Sequence, residues 1–209
     1  MRTLLRPEPV TETLVHESDD AELIVVGSPE RYRLPAGSAA VQLPAFTHRP
    51  VVVVRRAGEA RGLVVAGVDG SAGADAVLGF AIEEAALRDC DLRVVHAAWE
   101  PGAVPEAELA LFTDRNRLFR TRAEMLDGAV HAWTRRYPEV RVQVSLQLER
   151  PREALLEAAA GADLLVVGDR GTGGLDPLLL GATSSAMLHH APCTVAVVPV
   201  PRPAALQAA

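Results

Sequence analysis

From residue 63 onward, short apolar runs rich in β-branched residues alternate with longer segments whose apolar residues recur at helical spacing. The pattern predicts strands at 63–68, 92–97, 140–148, 163–167 and 194–198. It predicts helices at 74–88, 106–136, 152–160 and 183–190. Because each helix returns the chain across one face of a sheet, the strands that it joins lie parallel. The alternation therefore predicts an α/β fold with an open, doubly wound sheet of five parallel strands.

The first sixty residues repeat the later part of this pattern. Aligned without a gap, residues 10–27 and 151–168 are identical at seven of eighteen positions, and both segments end in Val-Val-Gly. An internal repeat is the simplest explanation. We therefore expect a truncated, degenerate half domain at 1–57, with the order helix-strand-helix-strand. A complete domain is expected at 61–200, after a linker at 56–61, and a flexible tail at 201–209.

The charge composition excludes several classes of protein. A formal net charge of −6 argues against a general electrostatic affinity for nucleic acid or for an anionic membrane. All 21 basic residues are arginine, which excludes a Walker-type phosphate loop, a pyridoxal Schiff base and a lysine general base. The apolar runs fall far short of the ~20 residues that span a bilayer. Cys90 and Cys193 lack metal-site and Cys-x-x-Cys spacing, so we expect a cytoplasmic protein with reduced thiols.

Two glycine-containing loops follow predicted strands and have the composition of a phosphate-binding site. The first loop, 67–71, places Asp69 at the end of a strand, and the second, 168–174, leads through Gly181 to a short helix. In a doubly wound sheet, ligands bind at the carboxyl ends of the strands. Glycines let backbone N–H groups approach an anion, and the helix start adds its own N–H groups. Arg170 is the nearest residue that can add a full positive charge.

At these loops the sequence resembles the universal stress protein family. Gly168, Gly171 and Gly181 match the spacing of the family's nucleotide signature, Gly-x2-Gly-x9-Gly. Val-Asp-Gly-Ser after the first strand of the complete domain and His-Ala-Pro-Cys near its end are also similar to the family. The resemblance implies a five-stranded sheet with the strand order 3-2-1-4-5. It also implies ATP, with Mg²⁺ as its counterion, across the ends of the first and fourth strands.

The resemblance implies a role for each residue of these loops. Asp69 would lie near the ribose or the adenine, Ala97 and Val167 would flank the base, and the second loop and the following helix would hold the phosphates. The predicted nucleotide-binding residues are Val68, Asp69, Gly70, Ser71, Ala97, Val167, Gly168, Arg170, Gly171, Gly181, Ala182, Thr183 and Ser184.

Two positions differ from the family pattern. Ala182 stands where the family has Ser or Thr, which leaves Thr183 and Ser184 as the alternative hydroxyls. Asp169 brings a carboxylate close to the phosphates, where Mg²⁺ or Arg170 would have to neutralise it.

In the N-terminal copy the signature is lost. Gly27 and Gly37 are ten residues apart, Glu30 replaces the middle glycine, and Pro29 removes a backbone donor. We expect this unit to bind no nucleotide.

The family resemblance also implies a homodimer through the last strand, here within 194–200. The Val-rich segment 51–55 could occupy that edge within the same chain, because an exposed apolar edge strand needs a partner. This pairing predicts a monomer, or a dimer built differently from those of single-domain relatives.

The sequence therefore favours an adenine-nucleotide-binding regulatory protein of the stress response, with at most weak ATP hydrolysis. One alternative is an interaction module of the same fold that needs no nucleotide, and a second is a slow ATPase in which Asp69 holds Mg²⁺ or orients a water. An adenylating enzyme would need a Ser-Gly-Gly-x-Asp-Ser loop, which is not what 67–71 provides. His189 and His190 are expected to cap or pack rather than to bind metal. His96 is expected to be a satisfied core histidine. The Arg-rich face of the long helix is expected to be solvated, and it includes Arg115, Arg117, Arg120 and Arg122.

Overall fold

The computed structural model describes residues 3–28, 34, 37–55, 60–71, 73–97, 115–147, 149–171 and 180–200, with 115–119 as backbone alone. The helices are α1 (Val10–His16), α2 (Ala39–Phe46), α3 (Ala74–Arg88), α4 (Arg115–Thr134), α5 (Pro151–Ala159) and α6 (Ala182–His190). The strands are β1 (Ile24–Gly27), β2 (Val51–Val54), β3 (Leu63–Val68), β4 (Asp91–Ala97), β5 (Val142–Gln147), β6 (Leu164–Gly168) and β7 (Thr194–Val198).

All of these strands belong to one sheet, with the order β1-β2-β7-β6-β3-β4-β5. If β3 to β7 are renumbered 1 to 5 in chain order, their order in the sheet is 3-2-1-4-5, as predicted. Each pair of adjacent strands within this set is parallel. The α/β class is therefore confirmed. The five strands predicted for the complete domain are present, and among the described residues β1 and β2 extend the sheet to seven strands beyond β7.

β2 pairs with β7 and so joins β1 and β2 to the other five strands, as predicted from the sequence. β2 lies antiparallel to β7, with Val51 opposite Val197 and Val53 opposite Val195. All four of these valines are buried. A strand of four consecutive valines has apolar side chains on both faces, which suits a position inside a sheet covered on both sides. The edge of β7 is therefore occupied within the chain.

Arg55 adds a polar contact to this junction. Its guanidinium donates to the carbonyl of Leu188 near the carboxyl end of α6, where a cation is also favoured by the helix dipole. Burial lowers the pKa of Arg55 below its ordinary value. The N-terminal unit is thus attached to the rest of the molecule by a strand pairing and by a side-chain bond.

The sheet has an apolar core on each face. One core contains Val51, Val53 and Val195 and is covered by α2, α5 and α6, while the other contains Val52 and Ala196 and is covered by α3 and α4. The N-terminal unit has the predicted order helix-strand-helix-strand. Its origin as a degenerate copy, with domain limits at 57 and 61, stays a prediction.

The remaining differences from the predicted boundaries are small. α4 is described from Arg115, so the predicted helix start at 106 lies outside the described residues, as do 56–59 of the linker and the tail 201–209. β5 is shorter than predicted at both ends, and β4 and α6 each begin one residue earlier.

Candidate functional site

A cavity of about 230 Å³ lies at the carboxyl ends of β3, β4 and β6, next to the first turn of α6. The strand order places β3 between β4 and β6, so residues far apart in sequence meet at this edge. Every predicted site residue except Gly70 lines the cavity: Val68, Asp69, Ser71, Ala97, Val167, Gly168, Arg170, Gly171, Gly181, Ala182, Thr183 and Ser184.

The first loop turns sharply after β3 and fixes the carboxylate of Asp69. Gly70 has a φ of +77°, a conformation that suits glycine. The backbone N–H of Ser71 donates to Oδ1 of Asp69 at 2.9 Å. The other carboxylate oxygen, Oδ2, lies 2.6 Å from the position that a Cβ on Gly171 would take. The two loops are therefore in contact, and a side chain at position 171 would displace the carboxylate.

The second loop follows β6, and the helix α6 begins after Gly181, a residue without a side chain that could cap the helix. The N–H of Gly181 donates to the carbonyl of Asp169 at 2.8 Å, and Gly181 is the N-cap residue. Within the described ranges, this helix start has no side-chain cap bond. Because the first N–H groups of a helix have no partner inside the helix, those of α6 are available at the cavity. The lining residues at this end are Gly181, Ala182, Thr183 and Ser184.

The carboxylate of Asp169 is turned away from the cavity and is neutralised. The residue is 2% exposed, and its Oδ1 accepts the backbone N–H of Val200 at 2.9 Å. Its Oδ2 accepts hydrogen bonds from Nε and Nη2 of Arg170, at 3.1 and 2.8 Å. Of the two ways expected to neutralise Asp169, the structure therefore shows the pairing with Arg170. The same pairing reduces the positive charge that Arg170 can offer to an anion.

The two hydroxyls near the start of α6 have different surroundings. Ser184 is buried, and its hydroxyl donates to the carbonyl of Gly168. This bond ties the helix to the end of β6 and uses the only proton that the hydroxyl can donate. Thr183 is partly exposed and lines the cavity. Of the two alternatives to the missing hydroxyl at position 182, Thr183 is the better placed.

Two of the lining residues that were not predicted from the sequence have titratable side chains, His96 and Arg122. Nδ1 of His96 lies 2.9 Å from the carbonyl oxygen of Val68, so this nitrogen carries the proton. Nε2 is buried and has no hydrogen-bond partner within the described part of the chain. The expected hydrogen bonding of His96 is therefore present at Nδ1 but not at Nε2. Burial lowers the pKa of His96, and Arg122 lowers it further.

Arg122 is not on a solvated face as expected. Its Nη1 lies 3.3 Å from the position of a Cβ on Gly70, above the first loop. The spacing of four residues to buried Leu126 places Arg122 on the packed side of α4 and is the signal that could have revealed it.

The described residues contain neither a metal-binding cluster nor a membrane-spanning helix. Within the ranges given above, no group of three or more His, Cys, Asp or Glu side chains is arranged to hold a metal ion. No helix within those ranges combines the length and apolar composition that a membrane crossing requires.

Comparison with known proteins identifies the family. The model of the universal stress protein family matches residues 62–199. A universal stress protein of Mycolicibacterium smegmatis is 33% identical over 95% of this chain and 68% of its own length. One from Mycobacterium tuberculosis is 33% identical over 88% of this chain and 64% of its own length. The chain therefore spans about two thirds of the length of these relatives.

Solved structures share the fold at low sequence identity. A universal stress protein of Archaeoglobus fulgidus matches with a TM-score of 0.64 and 20% identity, over 91% of this chain and 65% of that one. One from Lactobacillus plantarum matches with a TM-score of 0.52 and 19% identity, over 69% of this chain and all of that one. Together with the sequence matches, these similarities show that the chain belongs to the universal stress protein family.

Proposed function

We propose that this chain is a stress-response regulatory protein that binds one adenine nucleotide, ATP with Mg²⁺, in the cavity at the carboxyl ends of β3 and β6. The observation that carries the proposal is the meeting of two loops and a helix start at one cavity. The loops alone would be ordinary turns. Their convergence with the first turn of α6, which follows the N-cap residue Gly181, is a favourable site for phosphate.

The residues present suit the parts of a nucleotide differently. Asp69 can accept hydrogen bonds from a ribose hydroxyl or from an amino group of the base, and Ala97 and Val167 offer apolar contact. The backbone N–H groups at the start of α6, with the hydroxyl of Thr183, suit the phosphates. Mg²⁺ would supply the positive charge that Arg170, paired with Asp169, provides only in part.

We do not propose efficient ATP hydrolysis at this site. Asp69 stands at the strand end, where its Oδ1 accepts a hydrogen bond from the N–H of Ser71. Slow hydrolysis is the largest catalytic activity that we propose.

A second candidate function is supported by specific features of the site. Ala182 provides no hydroxyl, and Arg170 is engaged by Asp169. Both features would weaken the hold on phosphate and favour an interaction module that needs no nucleotide.

The proposal extends to the N-terminal unit and to location. We propose that this unit binds no nucleotide and that the chain is not joined to a second copy through β7, because β2 pairs with β7. Pro29 and Glu30, on which the first of these predictions rests, lie outside the described residues. We also propose a cytoplasmic location, which fits two cysteines that are both free.

The two candidate functions are distinguished by nucleotide content and by melting. Purified protein is denatured and the released small molecules are analysed by mass spectrometry, and a melting scan is run with and without Mg-ATP. A ligand at 100 times its Kd adds about 2.7 kcal/mol to the free energy of unfolding. Released adenine nucleotide, or a raised Tm with Mg-ATP but not with Mg²⁺ alone, supports the nucleotide-binding function. Absence of both results supports the interaction module.

A further inference from the structure

Asp169 is held at the end of β6 by hydrogen bonds to its backbone and to its side chain. Its N–H donates to the carbonyl of Val198, and its carbonyl accepts the N–H of Gly181, each at 2.8 Å. Its carboxylate accepts the N–H of Val200 through Oδ1 and the guanidinium of Arg170 through Oδ2. One residue therefore connects the chain after β7, the N-cap of α6 and the guanidinium of Arg170.

Val200 fixes the carboxylate from a second side. Its Cγ1 occupies the space that a Cβ on Gly73 would need, and it lies 3.1 Å from the position of a Cβ on Gly168. Val200 is thus packed between the start of α3 and the end of β6. Because the N–H of Val200 donates to Oδ1, this packing also restrains the carboxylate of Asp169.

The two members of the ion pair are placed differently with respect to the cavity. Arg170 is among the described residues that line it, whereas Asp169 is not and is 2% exposed. The pair as a whole is neutral, but its positive member is the one at the cavity. Asp169 accepts from Nε and Nη2 and so takes only two of the five N–H donors of a guanidinium.

Stability alone does not explain a buried ion pair at this place. The cost of removing two charges from water offsets much of their attraction, so such pairs contribute little net stability. A long, flexible arginine side chain loses conformational freedom when a ligand has to order it. A guanidinium that is already held in place binds an anion without that loss.

We propose that Asp169 is a positioning residue, which holds the guanidinium of Arg170 where the phosphates of the nucleotide bind. This inference rests on the proposed function, because it requires a nucleotide in the cavity. The carboxylate that was expected to repel the phosphates instead fixes the position of a cation. The pairing lowers the positive charge that Arg170 offers, but it determines where that charge stands.

The substitution Asp169→Asn isolates this role. The amide oxygen of Asn can still accept the N–H of Val200, but its NH₂ group cannot accept hydrogen bonds from Arg170. We expect the Kd of Mg-ATP, measured by calorimetric titration of the full chain, to rise about fivefold. The Kd of adenosine, which has no phosphate, should not change. A merely structural role would weaken the binding of both ligands alike.

A double-mutant cycle tests whether Asp169 acts through Arg170. Arg170→Gln should weaken ATP binding, and Asp169→Asn added to it should change the Kd of ATP no further. Asp91→Asn is the matched control, because it removes the same charge from an exposed residue. Asp91 is the first residue of β4, whereas the cavity lies at the carboxyl ends of the strands, so this variant should bind ATP as the wild type does.

Arg170→Lys keeps the project independent of whether Asp169→Asn folds, which circular dichroism melting checks. Lysine has the same charge but lacks the planar guanidinium edge that donates to Oδ2, so the Kd of ATP should again rise about fivefold.

The results that overturn this role differ from those that overturn the proposed function. An unchanged or stronger ATP affinity of Asp169→Asn or of Arg170→Lys overturns the role of Asp169 alone, provided that the wild type binds ATP. A further loss of affinity in the double variant, or an equal loss for adenosine, does the same. A wild-type chain that binds neither ATP nor adenosine overturns the proposed function and this role with it.

Discussion

The substitution Val53→Ala tests whether the N-terminal unit and the rest of the sheet unfold together. Val53 is fully buried in the middle of β2, opposite Val195 of β7, which is also fully buried. The contact joins residues that are far apart in the chain. Loss of packing at this point should therefore weaken the whole sheet if the sheet is one cooperative unit.

The size of the effect follows from the burial of Val53. Two methyl groups are removed from a site without solvent contact, at about 0.8 kcal/mol each for transfer. The cavity that remains raises the total to about 2–3 kcal/mol. Val54→Ala, in the same strand, is the control. Val54 is 40% exposed, so its truncation should cost less than about 1 kcal/mol.

Urea unfolding is followed by circular dichroism and by tryptophan fluorescence. In a Trp99→Phe background the fluorescence comes from Trp133 alone. Trp133 on α4 packs against Gly79 of α3, far from β2 in the strand order, and so reports on the other part of the sheet. With an m-value of about 2–3 kcal/mol/M, Val53→Ala should lower the midpoint by about 1 M in both signals. A fluorescence midpoint equal to that of the wild type, with an early transition in circular dichroism alone, would refute cooperative unfolding.

Three further predictions concern the site. Gly171→Ala should weaken ATP binding by about tenfold, because the new Cβ displaces the carboxylate of Asp69. Gly161→Ala is the control: this position has open space around it, so the Kd measured by calorimetry should not change. Ala182→Ser should strengthen ATP binding by about tenfold if its hydroxyl reaches a phosphate, and an unchanged Kd would place the phosphates elsewhere. The lowered pKa of His96 means that the unfolded chain binds more protons between that pKa and about 6.5, so stability should fall as pH drops through this window. His96→Asn should remove this part of the pH dependence, as measured by urea unfolding from pH 5 to 7, and an identical pH profile would count against it.

The strands that define the fold could be predicted because their signal is local. A run such as Leu164–Gly168 is apolar throughout and therefore belongs in the middle of a covered sheet, and the repeat predicted how β1 and β2 are arranged. The pairing of β2 with β7 could be predicted because two Val-rich edges each needed a partner. Five strands were predicted for the complete domain alone, although that same pairing implies a larger sheet.

The charges of the site could not be predicted in the same way. The sequence places Asp169 and Arg170 side by side after a strand, but the path of the loop decides that the carboxylate turns inward to Val200 and Arg170. The position of Arg122 depends on the rotation of α4 about its axis. The pattern of charged residues alone does not determine that rotation. The hydrogen bond between Nδ1 of His96 and the carbonyl oxygen of Val68 forms because the ends of β3 and β4 lie close together. These features depend on tertiary geometry.

Calorimetric titration of the full chain with Mg-ATP tests the central claim most directly, because it measures affinity and the number of sites together. The cavity beside β3 and β6 is the nucleotide site that we propose, and the N-terminal unit is proposed to have none. We therefore predict a stoichiometry of one ATP per chain. Two sites per chain, or no binding heat with millimolar ATP at two temperatures, would contradict this account.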